Sequence, residues 1–394
     1  IASKPVSVGL RGWDFSGGEL LARWNAGAAG LNWEMTFEAL LRLGGNFVCL
    51  PKGKPAALAA DMGLWRLQPA GRPLEAADFS AACPGRPALF SASAGHWQKL
   101  WAAAAEQQKQ EKLIWRIGLP DAGGALLPDN SAAPLDIQGR DLGRVLRAQY
   151  DAIRAQQPAA PICFALDEHS AALVRAGVLD LPEEVIRLWP DNGYGKFLAP
   201  RPGSADPRTP QLPAAGMAGR QGVLFHAAVS DGVAGNCLTM RPAAMEQDAR
   251  ELCDAFELGA RAMWLVCAGF VKPHVYPLDM LAALWRDVDA DPDAHRKNYL
   301  NTYYRAPDNW ALQPRQLDDL NTCWKSWPQV TVAFGAWPDQ RAGEQLMVCG
   351  ARAAATAWLA GRTAGPVPAL TWAAGEKPFA EQLAWLREGC ATAL

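Results

Sequence analysis

The chain has 394 residues, 50% of them hydrophobic and 20% charged, with a formal net charge of −2. That balance excludes the basic footprint of nucleic-acid binding or of attachment to an anionic membrane, and no apolar run approaches the ~20 residues of a membrane span. The length suits one large domain with a smaller companion. Nine cysteines are an odd number with no C-x-x-C spacing. Structural thiols are therefore expected, with Cys49, Cys163 and Cys267 acting as small hydrophobes inside apolar runs. The odd count favours a reducing compartment, which leaves the cytoplasm open. The start at Ile1, without a signal-peptide pattern, suggests a processed or trimmed product. Seventeen tryptophans are a marked excess; most are expected in the core, though carbohydrate proteins also use such rings as platforms for sugar faces.

Eight strand-like runs follow one another: "VSVGL" (6–10), "NFVCL" (46–50), "GLWRL" (63–67), "KLIWRIGL" (112–119), "PICFALD" (161–167), "VIRLW" (185–189), "GVLFHAAV" (222–229) and "RAMWLVCA" (261–268). Helical spacing lies between several of them. Phe37, Leu40 and Leu41 precede a Gly44-Gly45 stop, Leu142, Val145, Leu146 and Ile153 share one face, and Met245, Ala249, Leu252 and Phe256 share another, opened by Pro242. Alternating strands and helices imply parallel strands with crossover helices, and eight units in under 300 residues predict a (β/α)₈ TIM barrel. A doubly wound sheet is the alternative, but no G-x-G-x-x-G follows the first strand. The Pro/Gly-rich stretch 197–221 reads as a long loop, of the kind that forms lids. The acidic segment "DVDADPDAHRKN" (287–298) marks a boundary. The expected organisation is a barrel over 1–290 and a C-terminal helical domain over 291–394, clearest at 343–361 and 379–394.

Barrels of this type carry their chemistry at the C-terminal strand ends. Read in order, those ends are Arg11-Gly12-Trp13-Asp14, Pro51-Lys52, Gln68, Pro120-Asp121, Asp167-Glu168-His169, Trp189-Pro190-Asp191-Asn192, His226, and Phe270 with Lys272. Each has a plainer reading. Asp167 suits a helix N-cap, Glu168 a first helical turn, and Asp191-Asn192-Gly193 a tight turn. His226, between Phe225 and Ala227, suits a hydrogen-bonded interior histidine, and Lys272 a solvated one. The gathering of carboxylates, histidines and cations at one rim favours function.

In its order of motifs the chain resembles the xylan α-glucuronidases of glycoside hydrolase family 115. The likeness is clearest in "FEALLRLGGNFVCLP" (37–51), "LPEEVIRLWPDNGYGK" (181–196), "GVLFH" (222–226) and the order strand, "KP", helix at 261–285. The resemblance implies a barrel followed by a helical domain, with the family's N-terminal α/β domain missing here. Of the family's Tyr-Lys-Glu after the fifth strand only Glu168 carries over. Of its Trp-x-Asp-Asp-Asn-Trp-Gly, Trp189, Asp191 and Gly195 match, while Asn192 and Tyr194 replace an aspartate and the tryptophan. The seventh-strand histidine matches His226. In the eighth-strand motif Gly269, Lys272 and Pro273 match, while Phe270 and His274 replace two acids. The motifs expected after strands three and four are absent from "RLQPAGRPLEA" (66–76) and Leu119-Pro120-Asp121.

Glycoside hydrolysis needs a proton donor and a carboxylate on the far face of the sugar. The resemblance implies inversion; Glu168, next to an apolar strand, is the expected acid and Asp191, beside Asn192, the expected base, with the reverse assignment left open. Arg11, Lys52 and Lys272 are the expected cations for a glucuronate carboxylate, with Arg11 and Lys272 as neighbours. Trp13, Asp14, Asp121, Trp189, Asn192, Tyr194 and His226 complete the expected binding surface. No cofactor and no metal is implied, and the expected partner is a carbohydrate bearing a uronic acid. Export to the periplasm or beyond is what the resemblance implies. Two rival readings stand beside this one: a barrel that only binds glycans, and a metal-dependent hydrolase built on His169, His226, His274 and Asp191.

Overall fold

The computed structural model describes residues 7–15, 29–51, 55–69, 76–119, 126–128, 130, 132–193, 195–199, 209–228, 244–269, 271–305, 312–330, 359–361 and 387. Ten strands lie among them: β1 (Leu10–Asp14), β2 (Phe47–Cys49), β3 (Trp65–Pro69), β4 (Leu113–Ile117), β5 (Ile162–Ala165), β6 (Ile186–Pro190), β7 (Leu198–Ala199), β8 (Thr209–Pro210), β9 (Gln221–His226) and β10 (Met263–Cys267). Eight of them close a parallel barrel in the order β1-β10-β9-β6-β5-β4-β3-β2, and β7 and β8 form a separate antiparallel pair. The barrel expected from the alternation of strands and helices is present.

The helices follow the strands. They are α1 (Ala29–Arg42), α2 (Ala56–Asp61), α3 (Ala76–Ala82), α4 (Phe90–Gln107), α5 (Leu135–Gln156), α6 (Glu168–Arg175), α7 (Met245–Glu257) and α8 (Val275–Arg286). Among the described residues, β6 is followed by the β7–β8 pair in place of a helix. The apolar spacings act as expected: Leu142, Val145, Leu146 and Ile153 are the buried face of α5, and Met245 and Leu252 are buried on α7. After Arg42 the chain stops at Gly44, whose φ of +84° only glycine adopts without strain.

Period-two alternation sorts the strands into two packed layers. Phe47, Cys49, Leu67, Ile114, Cys163, Ile186, Leu188, Met263 and Leu265 form one cluster and fill the lumen. Their neighbours Trp13, Val48, Val223, Phe225, Trp264 and Val266 face outward, where they pack with Phe37, Leu40, Leu278 and Leu281 of the helical ring. The lumen is thus a packed floor beneath whatever stands at the rim.

The first strand corrects the sequence reading. It was expected at 6–10, with Arg11 to Asp14 as its rim; it is instead Leu10–Asp14. The register decides this, since Leu10 to Asp14 pair with Met263 to Cys267 and Gly12 to Asp14 with Phe47 to Cys49. Gly12 is needed because a Cβ there would come within 3.0 Å of the Phe47 carbonyl and ring.

Beyond α8, Asp291 caps α9 (Pro292–Tyr303) and Pro292 occupies its first turn, so the acidic stretch 287–298 opens a helix. Next comes α10 (Pro314–Ser326). Both pack on the barrel's helices: Tyr276 of α8 stacks on Trp324 with centroids 4.5 Å apart. Buried Arg296 bonds Glu246 and Asn321, each at 2.9 Å, and also pairs with Asp293. Apart from 359–361 and 387, the helices expected at 343–361 and 379–394 lie outside the described residues. No helix among the described residues is long and apolar enough to cross a membrane.

Candidate active site

The top of the lumen carries polar groups where the lower layers carry hydrophobes. Asp14 continues the inward parity of Leu10 and Gly12, Cys267 that of Met263 and Leu265, and His226 that of Leu224. Register places the three side by side: Asp14 pairs with Cys267, and Cys267 with His226. The outward neighbours Trp13, Phe225 and Val266 stay in the apolar ring.

Asp191 joins this layer from the end of β6. Its Oδ1 accepts the backbone N–H of His226 at 2.8 Å and lies 2.6 Å from His226 Nδ1. Its Oδ2 accepts the N–H of Gly195 at 2.8 Å. The turn between them closes because Gly193 and Gly195 take φ of +82° and +79°, in the left-handed region. The Asp191 side chain is 0% exposed and that of His226 21%. Burial pushes the His226 imidazolium down, but charge at Cys267 and Asp191 and hydrogen bonds to both carry its pKa well above the usual histidine value. Burial also raises the Cys267 thiol, and Asp191, buried against the ring, is the carboxylate paired with the imidazolium.

A second shell of charge supports this turn. Lys196 is buried, and its charge acts on Glu251 of α7, which accepts the Phe197 N–H at 3.0 Å. Burial raises the Glu251 pKa, against that hydrogen bond and the lysine. On the opposite arc Arg116 has the inward parity of Ile114, sits half-buried beside Cys163 in register, and acts on that thiol. Sequence reasoning missed Cys267 as a polar partner, and Arg116, Lys196 and Glu251 altogether. Strand parity alone could have turned Arg116 and Cys267 inward; Lys196 and Glu251 carry no local signal.

The other expected residues scatter. Glu168 is exposed in the first turn of α6, and Asp167 before it is the N-cap, its carboxylate accepting the Ser170 N–H at 2.7 Å. Since β5 and β6 are neighbours, Glu168 and Asp191 leave adjacent strands. Arg11 does not reach the rim. It bonds the Gly44 and Gly9 carbonyls at 2.7 and 2.9 Å and also the Val8 carbonyl, at the lower end of the barrel. The shifted first strand is the reason, and it removes Arg11 as a neighbour of Lys272. Trp13 and Trp189 are buried beneath helices, with the Trp189 indole donating to Gln221 at 3.0 Å. Asn192 is half-buried in the Asp191 turn, and its N–H donates to the Lys196 carbonyl at 2.7 Å. Lys52, Asp121, Tyr194 and Phe270 lie outside the described residues.

The exit from β10 is also partly corrected. Lys272-Pro273-His274 form a 3₁₀ turn leading into α8. Lys272 is exposed, but His274, expected at the edge, is fully buried. Among the described residues no group of three or more His, Cys, Asp or Glu could hold a metal ion.

Comparison with known proteins gives this arrangement a family. The pattern of Glycosyl hydrolase family 115 matches residues 4–311, which span the whole barrel. The chain belongs to that family. A solved family 115 4-O-methyl-α-glucuronidase with specificity for decorated arabinogalactans matches at a TM-score of 0.63 and 16% identity, over 99% of this chain and 54% of its own. The family 115 chain described here therefore spans about half the length of that enzyme. A xyloglucan-specific β-1,4-glucanase of family 5, from a ruminal metagenomic library, matches at a TM-score of 0.36 and 13% identity, over 65% of this chain and 83% of its own. No curated protein matches. Within the family 115 barrel, the fold joins the expected residues Asp191 and His226 directly.

Proposed function

We propose that this family 115 barrel hydrolyses the glycosidic bond of a glucuronic-acid-type branch on a polysaccharide, with inversion, and that residues 291–394 form its helical companion domain. The observation that carries the reading is the Asp191–His226 pair at the barrel mouth, with its 2.6 Å contact. An imidazolium held there by a buried anion presents positive charge to a ligand carboxylate, and Arg116 adds to it. Glu168 is the proton donor to the leaving oxygen, and Asp191 the partner carboxylate of the pair. Asp14, beside Cys267, lines the lumen floor of the same mouth. In the resting geometry both Asp191 oxygens are committed, so activating water requires its bond to His226 to open.

That commitment favours a second reading, in which the mouth binds acidic glycans without cutting them. Turnover of aldouronic oligosaccharides separates the two. Hydrolysis by the wild-type chain, lost by at least ~10²-fold in Glu168→Gln, supports catalysis, that being the usual scale of acid–base assistance. Binding of the same oligosaccharides without any product supports the second reading, and undiminished turnover in Glu168→Gln removes this glutamate from the mechanism.

A further inference from the structure

Cys163 and Cys267 are both buried lumen thiols, yet their surroundings differ. Cys163 stands beside Arg116 in register, and burial pushes its thiol up to about 12 against the charge of that arginine. Cys267 is hydrogen-bonded to the His226 ring, and that bond and the ring's charge oppose the effect of burial on the thiol. Because β9 lies between β6 and β10, His226 has Asp191 on one side and Cys267 on the other. Asp191 Oδ1 is 2.6 Å from Nδ1. The ring is therefore held from two sides and cannot turn without losing a partner. Its side chain is 21% exposed, so part of it still faces the mouth.

A cysteine sulfur can donate its proton or accept one, and the choice bears on the charge of the ring. Accepting from the ring favours imidazolium; donating to it favours neutral imidazole. Asp14 tips this balance. It pairs in register with Cys267 on the side away from His226, and its negative charge favours the protonated thiol. A thiol whose proton is drawn toward Asp14 offers its lone pairs to the ring. Behind Asp191, Lys196 acts on Glu251 with opposite charge, and Arg116 stands on the opposite arc beside Cys163.

We propose that Cys267 is a positioning residue: its sulfur accepts from the His226 ring and, together with Asp191, holds that ring as a fixed imidazolium at the barrel mouth. An apolar residue of the same size would fill the lumen as well and leave the ring with one of these partners. Held in this way, His226 supplies charge, and the proton for glycosidic cleavage comes from another group. The link to ligand binding rests on the reading that the mouth takes a uronate; the hold on the ring does not.

The chain has five histidines, few enough for the His226 ring to be followed by NMR titration with isotope-labelled histidine. In the ligand-free chain, Cys267→Ala should lower the ring pKa by about one pH unit, the scale of one hydrogen bond to a charged group. Cys267→Val keeps the side-chain volume and should do the same, which preserves the test if the alanine variant does not fold. Cys267→Ser, whose hydroxyl accepts, should restore most of the shift. A ring pKa that is unchanged or raised in the alanine and valine variants overturns the proposal. A serine variant that titrates like them overturns it too, because loss of the acceptor would then not be the cause. Calorimetry with glucuronate across pH is the functional arm: its alkaline loss of affinity should move to lower pH in Cys267→Val by the same interval as the ring. A ring that shifts as expected while glucuronate binding keeps its wild-type pH dependence, or is absent from the wild-type chain, upholds the role of Cys267 and overturns the uronate reading of the mouth.

Discussion

Replacing Asp191 by asparagine removes one negative charge from a site with no solvent to compensate. The side chain is 0% exposed and accepts from His226 N–H, His226 Nδ1 and Gly195 N–H. An amide can keep one of these acceptors, but its NH₂ group then faces a donor. The imidazolium also loses its counter-ion, and breaking a buried pair from one side costs roughly 3–5 kcal/mol. The loss must depend on pH. Because the folded-state pKa of His226 is raised above the unfolded value, its contribution is fully present below about pH 6.5 and is lost as pH rises through the folded pKa. Across that window the wild-type chain should lose up to about 1.4 kcal/mol per pH unit from this group. Urea unfolding followed by tryptophan fluorescence, at pH 6 and at half-unit steps above it, measures both effects. The expected result is a large deficit for Asp191→Asn at pH 6 that shrinks as pH rises. A deficit of equal size at every pH would refute the ion pair as the source of stability and leave only the hydrogen bonds.

Gly12→Ala should prevent folding or lower the melting temperature severely, because its Cβ would come within 3.0 Å of the Phe47 backbone and ring inside the closed barrel; normal soluble yield and melting would contradict the β1–β2 register. The Cys163 thiol, buried in the lumen with its pKa pushed up to about 12, should resist iodoacetamide at pH 8 in the folded chain, whereas exposed Cys323 should be alkylated readily, as mass spectrometry of the digested protein would report.

The barrel was legible because a strand buried on both faces must be apolar along its whole length, and runs such as Met263–Cys267 are. Helix faces were legible for the related reason that 3.6-residue spacing leaves its mark in α5 and α7. Asp167 was readable as a cap, since capping needs only three residues of local chain. The first strand was not, because Val6–Leu10 and Leu10–Asp14 are equally plausible locally. Pairing with β10 and β2 chooses between them, and an arginine fits in the strand only because three distant or neighbouring carbonyls take up its guanidinium.

The same division holds at the site. Local sequence determined that Asp191 begins a glycine-assisted turn and that His226 ends an apolar strand, since both follow from neighbours within a few residues. That the two touch is a decision of the closed barrel, which brings positions 35 residues apart to 2.6 Å. Closure likewise set Cys267 beside His226, turned His274 into the interior, sent Arg11 to the lower end and left Lys272 on the flank with Arg42. Residue type and spacing specify what a side chain can do and which face of its own element it occupies. Which charges meet depends on the relative placement of elements, and that is settled only when the first strand pairs with the last.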